Sequence, residues 1–242
     1  NIYMGSACKA KGIPYVTNVQ GLGTAFEKPV LSSVVSVMYR SALRKARTVF
    51  FENEENAQFL LHKNIISAQQ MKVLPGAGIN LDEYPYVPMK DDGVCSFLFV
   101  GRIMKEKGVD EFFAAAKTVK AELGEKVAFD VVGFHEDAYK GTVDQLVADG
   151  VINFHGFQTD VHPFYEAADC VVLPSYHEGM SNVLLEGAAT GRALITSDIP
   201  GCREAVENGV SGYLCPAKDA DALYEAMRRF VEMPESWRGK MG

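Results

Sequence analysis

The chain has 242 residues, 48% hydrophobic and 23% charged, which is a globular composition with room for one to two domains. A net charge of −7 argues against nucleic acid as the main partner. No apolar run approaches the length of a membrane span. The scattered cysteines (Cys8, Cys95, Cys170, Cys202, Cys215) form no C-x-x-C pair. They read as buried thiols of a cytoplasmic protein, not as disulfides or zinc ligands. The sequence starts at Asn1 and stops shortly after Trp237, which reads as a piece cut at both ends.

In chain order, Ile2 to Lys11 predicts a short helix ended by Gly12. Pro14 to Val19 reads as a β-branched, aromatic strand, followed by a glycine loop from Gln20 to Thr24. From Val30 to Arg47 the residues Val34, Val37, Met38, Ala42 and Ala46 fall at helical spacing and predict an apolar stripe. Arg40, Arg44, Lys45 and Arg47 make the second half of that helix basic. This basic face reads first as solvated, and second as a contact for an anionic membrane or phosphate-bearing acceptor. Thr48 to Phe51 is a strand, and Asn53 stands where it caps a helix running to about His62. Lys72 to Pro75 is another short strand. Gly76-Ala77-Gly78 lacks the third glycine and the long helix of a dinucleotide loop, so that reading is rejected.

Residues 84–93, with two prolines and Asp91-Asp92-Gly93, have linker composition. Beyond them strand and helix alternate. Strands are expected at Ser96–Val100, Val127–Val132, Ile152–Phe154, Cys170–Leu173, Ala193–Thr196 and Gly212–Leu214. Helix stripes are Phe112, Ala116, Val119 and Leu123; then Val143, Leu146 and Val147; then Leu223, Met227 and Phe230, with Pro163 opening a short helix. This alternation predicts an α/β fold, a parallel Rossmann-like sheet with helices on both faces. Ligands of such sheets bind at the carboxyl ends of the strands, where Gly101, Gly133, Gly156 and Pro174-Ser175 fall.

Two features at that rim carry chemistry. Gly101-Arg102 through Lys107-Gly108 offers a planar cationic fork and a mobile point charge, a set suited to two phosphates. Glu178 and Glu186, with seven residues between them, cross a strand-to-helix turn; Glu178 is in the loop and Glu186 about two turns into the helix. Between them, the N–H groups of Gly179, Met180, Ser181, Asn182 and Val183 lie at a helix N-terminus, a ready anion site. A plain reading, with Ser181 or Asn182 as N-cap and Arg102 and Lys107 as surface charge, accounts for each feature taken singly.

Together these residues resemble the donor half of retaining GT-B glycosyltransferases, the large glycogen-synthase-like group 1 family. The resemblance runs from about Phe97 to the end. Gly21 to Phe26, Leu43 to Ala46 and Val49 to Asn56 are similar, less specifically, to the tail of the acceptor domain in bacterial capsule and lipopolysaccharide members. It implies a remnant of the N-terminal acceptor domain over 1–83, a linker over 84–93 and a nucleotide-sugar donor-binding domain over 94–242.

It further implies that Arg102 and Lys107 neutralise the donor diphosphate, that Glu178 contacts the sugar, and that Glu186 holds the ribose. Gly101, Gly133 and Gly179 to Val183 would line the donor site. The implied reaction is retaining transfer of a hexose or N-acetylhexosamine from a nucleotide-diphosphate sugar, UDP first among them, to a glycan or lipid-linked acceptor. It needs no cofactor and no metal. The implied setting is surface polysaccharide synthesis in the bacterial cytoplasm, at the inner face of the plasma membrane. The physics agrees, since charge growing on a leaving diphosphate is stabilised by fixed cations and helix N–H groups. The Asp-x-Asp match, Asp219-Ala220-Asp221, reads as a helix cap, and His62, His155, His162 and His177 receive no catalytic role; His135, after Gly133, reads first as a solvent-side loop residue and second as one facing the ligand. The alternatives are a non-catalytic nucleotide-sugar binding module and an epimerase of UDP-N-acetyl sugars, with a glycosidase below both.

Overall fold

The computed structural model describes residues 2–22, 26, 29–90 and 92–242. Two compact units divide it: residues 1–78 with 177–181, and residues 79–176 with 182–242.

In the first unit, α1 (Ile2–Lys11) ends at Gly12 and leads to β1 (Val16–Val19). Then come α2 (Pro29–Leu43), β2 (Thr48–Phe51), α3 (Glu54–His62) and β3 (Met71–Val73). The strands form a parallel sheet in the order β1-β2-β3. Val19, Leu43, Val49, Phe51, Ala57, Leu60 and Ile65 are its core. Asn53 caps α3 as expected, its Oδ1 accepting from the Asn56 N–H at 2.9 Å.

Helix α2 departs from expectation. Val34, Val37 and Met38 are exposed, while Ser32, Ser36, Ala42 and Leu43 are buried. The helix is also shorter than expected, so Arg44, Lys45 and Arg47 lie beyond its end. Arg40 is tied down, its guanidinium donating to the carbonyls of Lys63 at 2.7 Å and Asn64 at 3.1 Å. These are carbonyls at the carboxyl end of α3, where a cation is favoured by the helix dipole.

The second unit contains β4 (Cys95–Val100), α4 (Val109–Leu123), β5 (Val127–Val132), α5 (Lys140–Ala148) and β6 (Asn153–Gly156). It continues with α6 (His162–Ala167), β7 (Cys170–Leu173), α7 (Asn182–Ala189), β8 (Ala193–Ser197), β9 (Gly212–Cys215), α8 (Ala220–Glu232) and α9 (Glu235–Met241). All six strands are parallel, in the order β6-β5-β4-β7-β8-β9. Residues of β7 and β8 are buried throughout, which is why they read as unbroken apolar runs and not as alternating ones.

Aromatic rings fill the layer between β4, β5 and the helices. Phe97 stacks on Phe129 at 5.2 Å, and Phe112 meets Phe99 at 5.3 Å. Each such ring contributes about 1.5–3 kcal/mol by leaving water. The expected inward stripe of α8 is seen at Leu223, Met227 and Phe230, and Asp219 caps it through the Ala222 N–H at 2.9 Å. In α5, Val143 and Leu146 are buried but Val147 is exposed.

This strand order reverses between β4 and β7. Crossovers from β4 run outward to β5 and β6, whereas those from β7 run the other way. At such a switch point the connecting loops diverge and leave a crevice at the carboxyl ends of the two strands. The segment before β4 is fastened on the opposite side of the chain's logic by one buried cation. Arg192, 1% exposed, donates to the carbonyls of Ala168 at 2.7 Å, Thr190 at 3.0 Å and Val87.

Candidate functional site

At the carboxyl end of β4, Gly101 and Arg102 precede a single 3-10 turn, Lys105–Lys107, closed by Gly108. Gly108 has φ 69°, the left-handed region that glycine enters without strain. A Cβ there would stand 2.6 Å from the carbonyl carbon of Pro174. Only a glycine therefore lets this turn rest on the loop that leaves β7. Two further contacts hold the pair: the Tyr176 N–H donates to the Glu106 carbonyl at 2.9 Å, and the Tyr176 hydroxyl reaches both carboxylate oxygens of Glu111, at 2.7 and 2.8 Å. Burial first, and then the Glu111 carboxylate, raise the Tyr176 phenol above its ordinary value. Arg102 is exposed and Lys107 half-buried. The turn bearing Lys107 and the loop after β7 are thus joined at the two sides of the switch point.

Gly133, at the end of β5, continues the same rim. A Cβ on it would stand 2.8 Å from the Gly101 carbonyl carbon. The Ile103 N–H donates to the Phe134 carbonyl at 2.9 Å, and Glu136 N–H returns to the Ile103 carbonyl at 3.1 Å. The rings of His135 and Phe154 lie 5.8 Å apart, and His135 is half-buried.

Helix α7 begins at Asn182, so Ser181 occupies the position before its first turn. Asn182 is exposed, Val183 and Glu186 half-buried. Glu186 lies just over one turn into the helix, not two, because the helix starts at Asn182 and Glu186 is its fifth residue. Its Oε2 accepts from the Tyr165 hydroxyl at 2.7 Å. Tyr165 is fully buried, and burial together with the Glu186 charge raises its phenol well above the ordinary value.

Residues 177–181 group with the first unit. There Asn53 Nδ2 donates to the Gly179 carbonyl at 2.7 Å. A Cβ on Gly179 would stand 2.5 Å from Glu52 Oε2 and 2.7 Å from the Gln20 carbonyl carbon. Glu52 is 7% exposed and accepts from Asn18 Nδ2 at 3.1 Å. Glu178, Gly179 and Met180 are half-buried and Ser181 is buried. The sequence-derived residues therefore divide: Gly101, Arg102, Lys107, Gly133, Asn182, Val183 and Glu186 belong to the second unit, and Glu178 to Ser181 to the first.

Tyr84, Tyr165, Tyr176 and Glu111 were not singled out from the sequence. No motif marks them: Tyr84 lies in the linker-like stretch, and the others read as ordinary helix or loop residues. Of the glycine loop, Gly23, Thr24 and Ala25 lie outside the described residues, as does Asp91 of the linker. Among the described residues, no group of three or more His, Cys, Asp or Glu is placed to hold a metal ion. His155 and His162 are engaged by Asp130 and Asp160, each at 2.6 Å. Among those residues no helix is long and apolar enough to cross a membrane.

Residues 95–233 match the family model of glycosyl transferases group 1. An N,N'-diacetylbacillosaminyl-diphospho-undecaprenol alpha-1,3-N-acetylgalactosaminyltransferase of Campylobacter jejuni is 28% identical over 244 residues, covering 93% of this chain and 64% of the relative. A UDP-Gal:alpha-D-GlcNAc-diphosphoundecaprenol alpha-1,3-galactosyltransferase of Escherichia coli is 27% identical, covering 93% of this chain and 62% of the relative. The chain thus spans less than two thirds of either. Among solved structures, Anabaena HepE, in complex with UDP and glucose, superposes with a TM-score of 0.80 at 18% identity, covering 99% of this chain and 68% of that one. That likeness concerns the fold, and it agrees with the parallel α/β, GT-B type expected from the sequence.

Proposed function

Since the chain belongs to the group 1 glycosyl transferases, we propose that it carries the donor-binding half of a sugar transferase, residues 94–242, joined by residues 84–93 to part of an acceptor domain, residues 1–83. The donor is a nucleotide-diphosphate sugar, UDP-linked first among the choices. The acceptor is a sugar carried on a lipid diphosphate, as in the names of the two bacterial relatives, and the product is surface polysaccharide. The protein works in the cytoplasm against the membrane face where such acceptors reside.

The single observation that carries the reading is the joining of the Arg102–Gly108 turn to Pro174–Tyr176 across the switch point of the sheet. In our mechanism the diphosphate lies over this junction. Arg102 engages two of its oxygens as a fork, and Lys107 adds a point charge. The N–H groups at the start of α7 face the same anion. Glu186 accepts hydrogen bonds from the ribose, and Glu178 keeps the sugar-hydroxyl role that the resemblance implies. As the bond between anomeric carbon and diphosphate breaks, negative charge grows on the leaving oxygen. The preset cations stabilise that charge more than they stabilise the intact donor, which is what lowers the barrier. The sugar is delivered with retention at the anomeric carbon. This chemistry asks for no metal, because the cationic groups occupy the role.

The test is transfer from a nucleotide sugar to a lipid-diphosphate-linked acceptor by the full-length protein, alongside calorimetry. Arg102→Ala and Lys107→Ala are each expected to lower the rate on the order of 10²–10³-fold. Wild-type rates in both variants would overturn the mechanism. Binding of nucleotide sugar without transfer would instead identify a binding module, and conversion of UDP-N-acetyl sugar with no acceptor would identify an epimerase.

A further inference from the structure

Glu186 does not stand alone on α7. Its Oε2 accepts a hydrogen bond from the Tyr165 hydroxyl at 2.7 Å, from a ring in α6 that is wholly buried. A second ring, Tyr84 from the segment before β4, packs beside it. Burial first, and then the charge of nearby Glu186, raise the Tyr84 phenol. Tyr84 is fixed by its neighbours. Its ring lies on His162 at 4.4 Å and meets the Tyr165 ring edge-on at 6.1 Å. His162 is held by Asp160 at 2.6 Å. Two separate stretches of chain, α6 and the segment before β4, therefore pack around one half-buried carboxylate.

The chemistry of the convergence is specific. An ionised carboxylate is acceptor-only, with two oxygens and about four lone-pair positions. The Tyr165 phenol occupies one of these at 2.7 Å and restrains the side chain. The remaining acceptor positions call for a partner that donates. A pair of adjacent hydroxyls donates in that pattern, whereas a phosphate or a carbonyl does not. Resting on the reading of Glu186 given above, we propose that Tyr165 and Tyr84 are positioning residues that hold the Glu186 carboxylate for the ribose diol, and so set this chain's preference for ribonucleotides over their deoxy forms.

The test compares each nucleoside diphosphate with its 2′,3′-dideoxy counterpart by calorimetry, using whichever of UDP, GDP or ADP binds the wild-type chain most tightly. Hydrogen bonds to a charged group predict that the ribo form binds about 10–100-fold more tightly. In Tyr165→Phe and in Tyr84→Phe that ratio falls at least about threefold, and in the double variant it approaches unity, while the gain from nucleoside to nucleoside diphosphate is unchanged. A misfolded fraction lowers the stoichiometry but not the ratio of dissociation constants. Should Tyr165→Phe fail to fold, the half-buried Tyr84→Phe decides.

If Glu186→Ala abolishes the ribose preference while both phenylalanine variants keep it, the positioning role is overturned and the ribose reading stands. If wild type binds ribo and dideoxy forms equally, or binds no nucleoside diphosphate, the ribose reading falls and this proposal with it.

Discussion

Gly108→Ala tests the junction on which the mechanism depends. Two costs follow from the structure. An alanine held at φ 69° sits in the left-handed region, which costs about 1–2 kcal/mol. Its Cβ would also stand 2.6 Å from the Pro174 carbonyl carbon. Carbon–carbon contacts settle at about 3.5–4.0 Å, so the turn must retreat by roughly 1 Å, an overpacking worth about 1–3 kcal/mol. The sum is about 2–5 kcal/mol.

Gly150 supplies the control, because its φ of 68° is nearly the same and an added Cβ there meets nothing within 4 Å. Gly150→Ala therefore carries the conformational cost alone. Urea denaturation of the two variants should differ by the overpacking term. Misplacing a binding group by about 1 Å is worth on the order of 10²-fold in rate, so Gly108→Ala should also lose most of its diphosphate affinity and transfer, and Gly150→Ala neither. If the two variants denature at the same urea concentration and bind nucleoside diphosphate alike, the backbone contact with Pro174 is not what holds Lys107 in place.

Three further outcomes are expected. Arg192→Met strands the carbonyls of Ala168 and Val87 without their buried donor, while the Thr190 carbonyl keeps the Val87 N–H; at about 1–3 kcal/mol for each stranded carbonyl, urea denaturation should show a loss of at least about 2 kcal/mol. Asn53→Ala removes both the α3 cap and the bond to the Gly179 carbonyl, for about 2 kcal/mol; Asn53→Asp keeps the capping oxygen and should recover about half, as thermal denaturation can read. In native protein at pH 8, a thiol reagent should modify Cys8 alone, because Cys95, Cys170, Cys202 and Cys215 are buried and Cys95 and Cys215 are pushed by burial up to about 12 and about 11; all react in urea.

Much of the second unit was legible because its strands are covered on both faces. Runs such as Cys170–Leu173 then have one reading, and the glycines and prolines that end them mark the ligand-bearing rim. The order of the strands was not legible. It arises from which way each crossover turns, and no residue pattern within a strand encodes that. Helix α2 failed for a different reason. Its sequence carries apolar residues on nearly every face, so spacing alone selects no inward side. The small residues decide instead. Ser32 and Ser36 are buried, and a Cβ on Gly5 of α1 would stand 2.7 Å from the Ala42 carbonyl oxygen, an approach that the bulkier Val34 and Val37 would obstruct.

For the site, a motif shows which groups touch a ligand but not what holds them. Arg102 and Lys107 have long, flexible stems, and a charge at the end of such a stem gains little from a geometry it must freeze to adopt. Anchoring their backbone moves that cost into folding. Here the anchors are a glycine pressed on a carbonyl, the Tyr176 N–H on Glu106 and the Tyr176 hydroxyl on Glu111. Glu186 is anchored by the same means, by the Tyr165 phenol of α6, against whose ring Tyr84 packs. Tyrosine suits the task because its ring fills the core while its hydroxyl stays directional at the edge. Such a residue looks like core in a sequence, which is why the cations and carboxylates of the proposed site can be read from sequence and the tyrosines proposed to aim them cannot.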